Sequence, residues 1–428
     1  MKKIILPNRE EWSRLVERPK IEKNELDTIV KNIINEVKTR KDQALIAYSK
    51  QFDNVELNSL QVTKTEIEEA KLLVSDELKN AIFIAQNNIE KFHQNQQLDE
   101  AVVETTTGVK CWRKAVPIEK VGLYIPGGSA PLFSSILMLA IPAKIAGCKE
   151  IILCTPPNQQ GKVHPAILYT ANLVGATKIF KVGGAQAIAA MAYGTESIPQ
   201  MYKIFGPGNQ YVTKAKELVQ QNGVAIDMPA GPSEVLIIAD ETCNPEFVAA
   251  DLLSQAEHGS DSQVILLSDN TTVIDKSIKA LNEQVELLPR AETAKKAIQN
   301  SCAIQLKNLN ACMEFSNLYA PEHLILASDN SNKLINAVIN AGSVFIGNYS
   351  CESAGDYASG TNHTLPTNAY ARNYSGVSLS SFQKNITFQK ITAEGIQSIG
   401  PAIEIMAEEE GLFAHKNAVS LRLKSLKK

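Results

Sequence analysis

Several things are scarce in this chain of 428 residues, and each shortage removes a class of function. Excess charge is scarce: 43 Lys and Arg against 46 Asp and Glu leave a formal −3, so no global positive field exists to hold a nucleic acid. The Lys-rich stretch 422–428 is too short to change that. Long apolar runs are lacking as well. The most apolar window, residues 131–147, is interrupted by Ser134, Ser135, Pro142 and Lys144 and falls short of the roughly 20 residues that span a bilayer. No membrane partner is expected. The opening Met1, Lys2, Lys3, Ile4, Ile5, Leu6 meets Pro7 and charges too soon for the apolar core of a signal peptide. Seven cysteines, scattered, odd in number and without a C-x-x-C pair, suit reduced thiols and a cytoplasmic location. Also missing are fixed-period repeats, low-complexity tracts and the G-x-G-x-x-G fingerprint of a dinucleotide site.

What is present reads as an ordinary compact chain, 44% hydrophobic and 21% charged. Its length exceeds what one core serves, so at least two domains are expected. Residues 21–97 carry helical spacing: Ile29, Ile33, Ile34 and Val37 form one stripe, and a second long segment runs from Glu66 towards Phe92. After Val121 the texture changes to short apolar runs bounded by Gly or Pro, at 121–125, 151–154, 179–182, 204–205, 235–239, 264–267 and 343–346. Strands apolar throughout, alternating with helices, are what a parallel sheet covered on both faces requires.

The fold expected is therefore α/β, with two Rossmann-like doubly wound domains, a helical N-terminal lead-in and a small C-terminal tail domain. Two Gly-Pro clusters, at 125–131 and 229–233, mark crossings between the domains. The division is an N-terminal segment 1–20, a discontinuous first α/β domain of 21–124 and 234–380, a second of 125–233, and a tail 381–428. The tail is too short to bury much surface alone, so it should pack on the body or on a partner subunit.

Four of the six histidines, His258, His323, His363 and His415, fall in the C-terminal half beside polar or acidic residues, which invites a metal or acid–base reading. Asn244 suits a helix N-cap, Pro245 the first position and Gly259 the residue past the end. On that helix of about four turns, Gln255 and His258 share one face and can grip one ion. A helix-terminal His favoured by the dipole reads as well on this segment alone. Glu322 and His323 put a carboxylate beside an imidazole after a Pro-limited turn, a pair able to divide proton transfers, or a common surface pair. Asp356 with His363, and Glu410 with His415, offer the same two groups, and each reads equally as a capped turn or a solvated face. The turns at 206–209 and 182–186 can receive pyrophosphate at a helix N-terminus, or can be plain strand-to-helix turns.

Taken together these segments resemble the histidinol dehydrogenase family over nearly the full length. The most specific part is Gly206-Pro-Gly-Asn-Gln-Tyr-Val212, then Ile226-Asp-Met-Pro-Ala-Gly-Pro-Ser-Glu234, then Ser254-Gln-Ala-Glu-His-Gly259. The runs at 121–128, Ala320-Pro-Glu-His323 and Ser353-Ala-Gly-Asp356 match as well. The resemblance implies a zinc site on Gln255, His258, Asp356 and His415, and a proton-transfer pair on Glu322 and His323. It further implies substrate contacts from Ser233, His363 and Glu410 besides those residues, and NAD contacts from Tyr124, Gln186 and Asn209. The implied activity is the four-electron oxidation of L-histidinol to L-histidine with two NAD, in a homodimer whose C-terminal tail crosses to the partner. Without the resemblance, a zinc hydrolase on an α/β scaffold or a two-domain binding protein would fit the same residues.

Overall fold

A computed structural model describes residues 1–18, 24–97, 100–127, 130–229 and 231–427. Its strands in chain order are β1 Lys2–Ile5, β2 Val103–Thr106, β3 Val109–Pro117, β4 Lys120–Tyr124, β5 Glu150–Thr155, β6 Lys178–Lys181, β7 Lys203–Phe205, β8 Ala225–Ile226, β9 Glu234–Ala239, β10 Gln263–Ser268, β11 Cys302–Gln305, β12 His323–Ala327, β13 Ser343–Ile346 and β14 Gln383–Ile391. They form three sheets among the described residues. One has five parallel strands in the order β6-β5-β4-β7-β8. The second has six, β1-β11-β10-β9-β12-β13, also parallel, and the third is an antiparallel ribbon, β14-β3-β2.

Both parallel sheets are wound alike. The first strand of each unit lies mid-sheet, the chain steps outward twice, then returns to the other side. Two switch points result, between β4 and β7 and between β9 and β12, where the crossovers on either side part and leave room for a ligand. Alternation fills both faces. Val121, Leu123 and Ile125 enter one core and Tyr124 the opposite one. In the second sheet Val235, Ile237 and Ala239 face one core, Leu236 and Ile238 the other. The apolar window expected not to be a span is the helix Ser134–Ala146, almost wholly buried, and no described helix is long and apolar enough to cross a membrane.

Local details differ from the expectations. The segment 66–92 is two helices, Lys64–Leu73 and Asp76–Gln94, because Ser75 accepts from Leu78 N and starts the second. Helices Asn24–Arg40 to Asp76–Gln94, grouped with 234–380 from sequence, pack on helices of the five-stranded sheet instead. Strand pairing likewise puts β4 in that sheet and Lys2–Ile5 at the edge of the other. The helices Ala393–Glu409 and Phe413–Ser425 pair with each other beside the ribbon. They leave Ile405, Met406, Phe413 and Leu421 more than half exposed.

Candidate active site

The amino ends of β9 and β12 meet at one switch point, with His323 beside Val235 in register. The backbone of Glu234 touches both Glu322 and His323. Its N–H donates to Glu322 Oε2 at 2.9 Å, and its carbonyl accepts from His323 Nδ1 at 3.1 Å. A carbonyl only accepts, so Nδ1 carries the proton and Nε2 is the bare nitrogen. That Nε2 is buried without a hydrogen-bond partner, 3.8 Å from Asp356 Oδ1. Burial pulls His323 down to about 3, against the bond to Glu234, so the ring is neutral near pH 7. Burial also pushes the Glu322 carboxyl well above the usual range; the Glu234 N–H opposes this and the charges of Glu234 and Asp356 reinforce it. Immediately before the pair, Ala320 caps the helix Leu309–Tyr319 at φ 55, a left-handed conformation that costs a residue with a Cβ.

The side chains that could hold a cation come from two neighbouring helices and the turn after one of them. Asn244 accepts from Glu246 N and Pro245 takes the first position of the helix Pro245–Ala256. This helix ends at Ala256, shorter than the expected four turns, and His258 sits in the turn beyond, its N–H bonded to Gln255 O at 3.3 Å. On the short helix Glu352–Tyr357, Glu352 and Asp356 are four apart and share one face. Ligand atoms of His258, Glu352 and Asp356 all lie within 4.8 Å of one another. The buried Gln255 directs its amide nitrogen at Glu352, donating to Oε1 and, at 3.3 Å, to Oε2. Since a carboxylate only accepts, it is the Gln255 amide nitrogen and not its oxygen that faces Glu352. Burial pushes Asp356 up to about 7, and Asp251, on the same helix as Gln255, also to about 7.

The carboxyl edge of the five-stranded sheet carries the Gly-rich turns. The Tyr124 hydroxyl, buried at the end of β4, accepts from Gly184 N at 3.0 Å. Gln186 is buried in the first turn of the helix Gly184–Tyr193. Asn209 accepts from Tyr211 N and Val212 N and caps the helix Gln210–Gln220. Gly206 stands at φ 126, and a Cβ there would come within 2.0 Å of Tyr124 O, so only glycine fits. A buried ion pair grips both polar atoms of that residue: Asp227 Oδ2 accepts from Gly206 N at 2.8 Å and Lys216 Nζ donates to Gly206 O at 3.0 Å.

One loop ties the two units. Asn362 donates to Met138 O at 2.5 Å, and His363 donates from Nδ1 to Asp356 O at 2.9 Å while its Nε2 lies 3.0 Å from Ser135 Oγ. Burial pulls His363 down to about 4.

A bare, buried imidazole nitrogen thus lies beside a cluster that could hold one cation, with Gly-rich helix starts on the neighbouring unit. The family model for histidinol dehydrogenase matches residues 16–423. The chain belongs to the histidinol dehydrogenase family. It is 58% identical over 427 residues to histidinol dehydrogenase of Bacteroides thetaiotaomicron, covering 100% of both chains. Against histidinol dehydrogenase of Escherichia coli strain K12 it is 52% identical, covering 98% of this chain and 96% of the relative. The crystal structure of histidinol dehydrogenase from Elizabethkingia anophelis superposes with a TM-score of 0.98 at 60% identity, over 100% of this chain and 99% of that one. An acetylating aldehyde dehydrogenase from Geobacillus thermoglucosidasius, 16% identical with a TM-score of 0.50, shares the fold alone. As a member of the histidinol dehydrogenase family the chain is an oxidoreductase, and the hydrolase and binding-protein alternatives fall away.

Of the residues singled out from sequence, the structure brings together Glu322, His323, Gln255 and Asp356, with His258 at the same cluster and His363 bonded to the Asp356 backbone. Ser233 directly precedes Glu234, and its carbonyl accepts from Gln263 N at 3.1 Å. Tyr124, Gln186 and Asn209 lie along the other edge, around the loops that follow β4, β6 and β7. Glu410 and His415 do not join either group within this chain; both are exposed on the tail. Sequence reasoning missed Glu352, although its i,i+4 relation to Asp356 was a usable signal. It also missed the backbone role of Glu234, for which no local signal exists.

Proposed function

We propose that this chain oxidises L-histidinol to L-histidine through histidinaldehyde, consuming two NAD and one water and releasing two NADH. The observation that carries the reading is the bare, buried Nε2 of His323 beside the His258, Glu352 and Asp356 cluster. Imidazole, carboxylate and amide oxygen at this spacing fit zinc. Gln255, His258, Asp356 and the partner subunit's His415 would hold it, with Glu352 turning the Gln255 amide as an outer partner. When bound, zinc supplies Lewis acidity and orients the substrate. Tyr124, Gln186 and Asn209 would hold NAD, which would supply the hydride acceptor for each oxidation.

In the first oxidation His323 Nε2 takes the hydroxyl proton of histidinol, and the Nδ1–H bond to Glu234 O holds the ring and supports the imidazolium that forms. In the second, Glu322 takes a proton from the water that adds to the aldehyde carbon. Ser233, His363 and Glu410 of the partner subunit orient the substrate. The exchange of tails in a homodimer rests on the apolar side chains that the tail leaves exposed. A cytoplasmic setting accords with seven cysteines that are all free thiols.

The test is NADH formation from L-histidinol before and after chelation, with histidine quantified against NADH. Two NADH per histidine, lost with the metal, is the expected result; no NADH, or one per aldehyde released, contradicts the reading. For the exchanged tail, mixing inactive His258→Asn and His415→Asn homodimers should restore activity through heterodimers with one complete site.

A further inference from the structure

We infer that Arg18 and Glu234 are positioning residues that set the Glu322–His323 pair through the backbone of Glu234. This rests on the proton-transfer roles given above to the pair. The two peptides flanking the Glu234 Cα are committed to it, one through the N–H to Glu322 Oε2 and the other through the carbonyl to His323 Nδ1. Any rotation of that residue moves both groups at once.

Its side chain is held from three directions. Arg18 Nε donates to Oε1 and Nη2 to Oε2, each at 2.9 Å, a two-pronged contact. Asn368 N donates to Oε1 at 2.9 Å. Arg18 is fixed in turn, donating from Nη2 to Tyr319 O at 2.7 Å with its guanidinium 3.7 Å from the centre of the Tyr319 ring. The Tyr319 hydroxyl donates to Gln263 Oε1 at 2.7 Å. The ion pair is deep, the side chains being 11% and 2% exposed. A buried ion pair adds little net stability over apolar packing of the same volume. What this one fixes is direction: the fork and the amide of Asn368 leave the Glu234 carboxylate a single orientation. Among the described residues no hydrogen bond or ion pair joins Arg18 to Glu322 or His323, so its effect passes through Glu234.

The experiment uses the full-length, zinc-loaded enzyme carrying Arg18→Ala, Arg18→Lys or, in parallel, His323→Asn, assayed with histidinol and with histidinaldehyde below the melting temperature of each variant. A small displacement of a reacting group costs up to about 10²-fold, so Arg18→Ala should lower kcat by about that factor in both oxidations. KM for both substrates and the bound zinc should stay near wild type, and Arg18→Lys should recover part of kcat because an ammonium can meet one carboxylate oxygen but not fork to two. A merely structural role would lower the folded fraction and leave kcat per folded enzyme unchanged, and that outcome overturns the proposal. If Arg18→Ala does not fold, Arg18→Lys carries the test, and wild-type kcat in both steps overturns it. Wild-type kcat in His323→Asn would instead overturn the proton-transfer reading beneath it.

Discussion

The two parallel sheets share a winding order yet use opposite edges. At the β4–β7 switch point the functional loops follow the strands, so they open onto helix N-termini at Gly184 and Gln210. At the β9–β12 switch point the groups precede the strands, and the helix Pro245–Ala256 directs its C-terminal end there. The helix dipole gives these edges opposite sign. The positive end of the dipole at the first suits the phosphates of a dinucleotide, and the negative end at the second favours a metal cation or a protonated amine. One topology thus provides an anion end and a cation end, chosen by which side of the strands the functional residues occupy. Each edge is also braced by a buried ion pair acting on backbone: Lys216–Asp227 on Gly206, Arg18–Glu234 through Glu234 on Glu322 and His323.

Substitutions should separate the two edges. The largest effect is expected from His323→Asn, which removes the base and should lower kcat about 10²- to 10⁴-fold while NAD binding stays unchanged by equilibrium titration. An equal loss of NAD affinity would erase the division between the edges. Lys216→Met leaves Asp227 buried and unpaired, and urea unfolding should show a loss of about 3–5 kcal/mol. In the folded fraction KM for NAD should rise while KM for histidinol holds; the reverse pattern would break the assignment of Gly206 to the nucleotide. Glu352→Ala releases the Gln255 amide, and competition with a chelator should show metal affinity lower by about 10- to 100-fold.

The smallest effect is in pH. Asp251 and Asp356 have folded values raised to about 7 by burial, above the ordinary value of about 3.9. The stability they contribute is fully present below that ordinary value and is lost as pH rises through about 7. Scanning calorimetry of metal-free protein should show Tm falling from about pH 6.5 to pH 8, above the ordinary histidine value, where the buried neutral His323 and His363 no longer offset the carboxylates, and zinc should raise Tm more at the upper end, where its ligands are deprotonated. A metal-free Tm that rises over the same interval would contradict the burial of these carboxylates.

Most strands of both sheets were legible in the sequence because they are apolar throughout and bounded by Gly or Pro, as at 121–125 and 235–239, but the four-residue Cys302–Gln305, which ends on a polar residue, was not. Strand β12 was not, since Glu322 and His323 at its start read as a polar turn although the apolar run 324–327 follows them. Lys2–Ile5 was hidden by its own lysines, which an edge strand tolerates. Which sheet the helices of 24–94 cover depends on packing between segments far apart in sequence, and no local pattern encodes it. At the site, the residue types and motifs pointed to Glu322, His323, Gln255, His258 and Asp356, which share one edge in three dimensions. Nothing local marked Arg18, whose partner Glu234 lies 216 positions away. The tail residues Glu410 and His415 stay apart from the cluster in this chain.

The most direct test is a crystal structure of the zinc-loaded protein with histidinol and NAD. The expected result is one zinc bound by Gln255, His258, Asp356 and the partner's His415 at the amino edge of β9 and β12, with His323 Nε2 on the substrate hydroxyl and the nicotinamide reaching it from the carboxyl edge of β4 and β7. Zinc held by other residues, or a dinucleotide lying along the six-stranded sheet, would contradict the account.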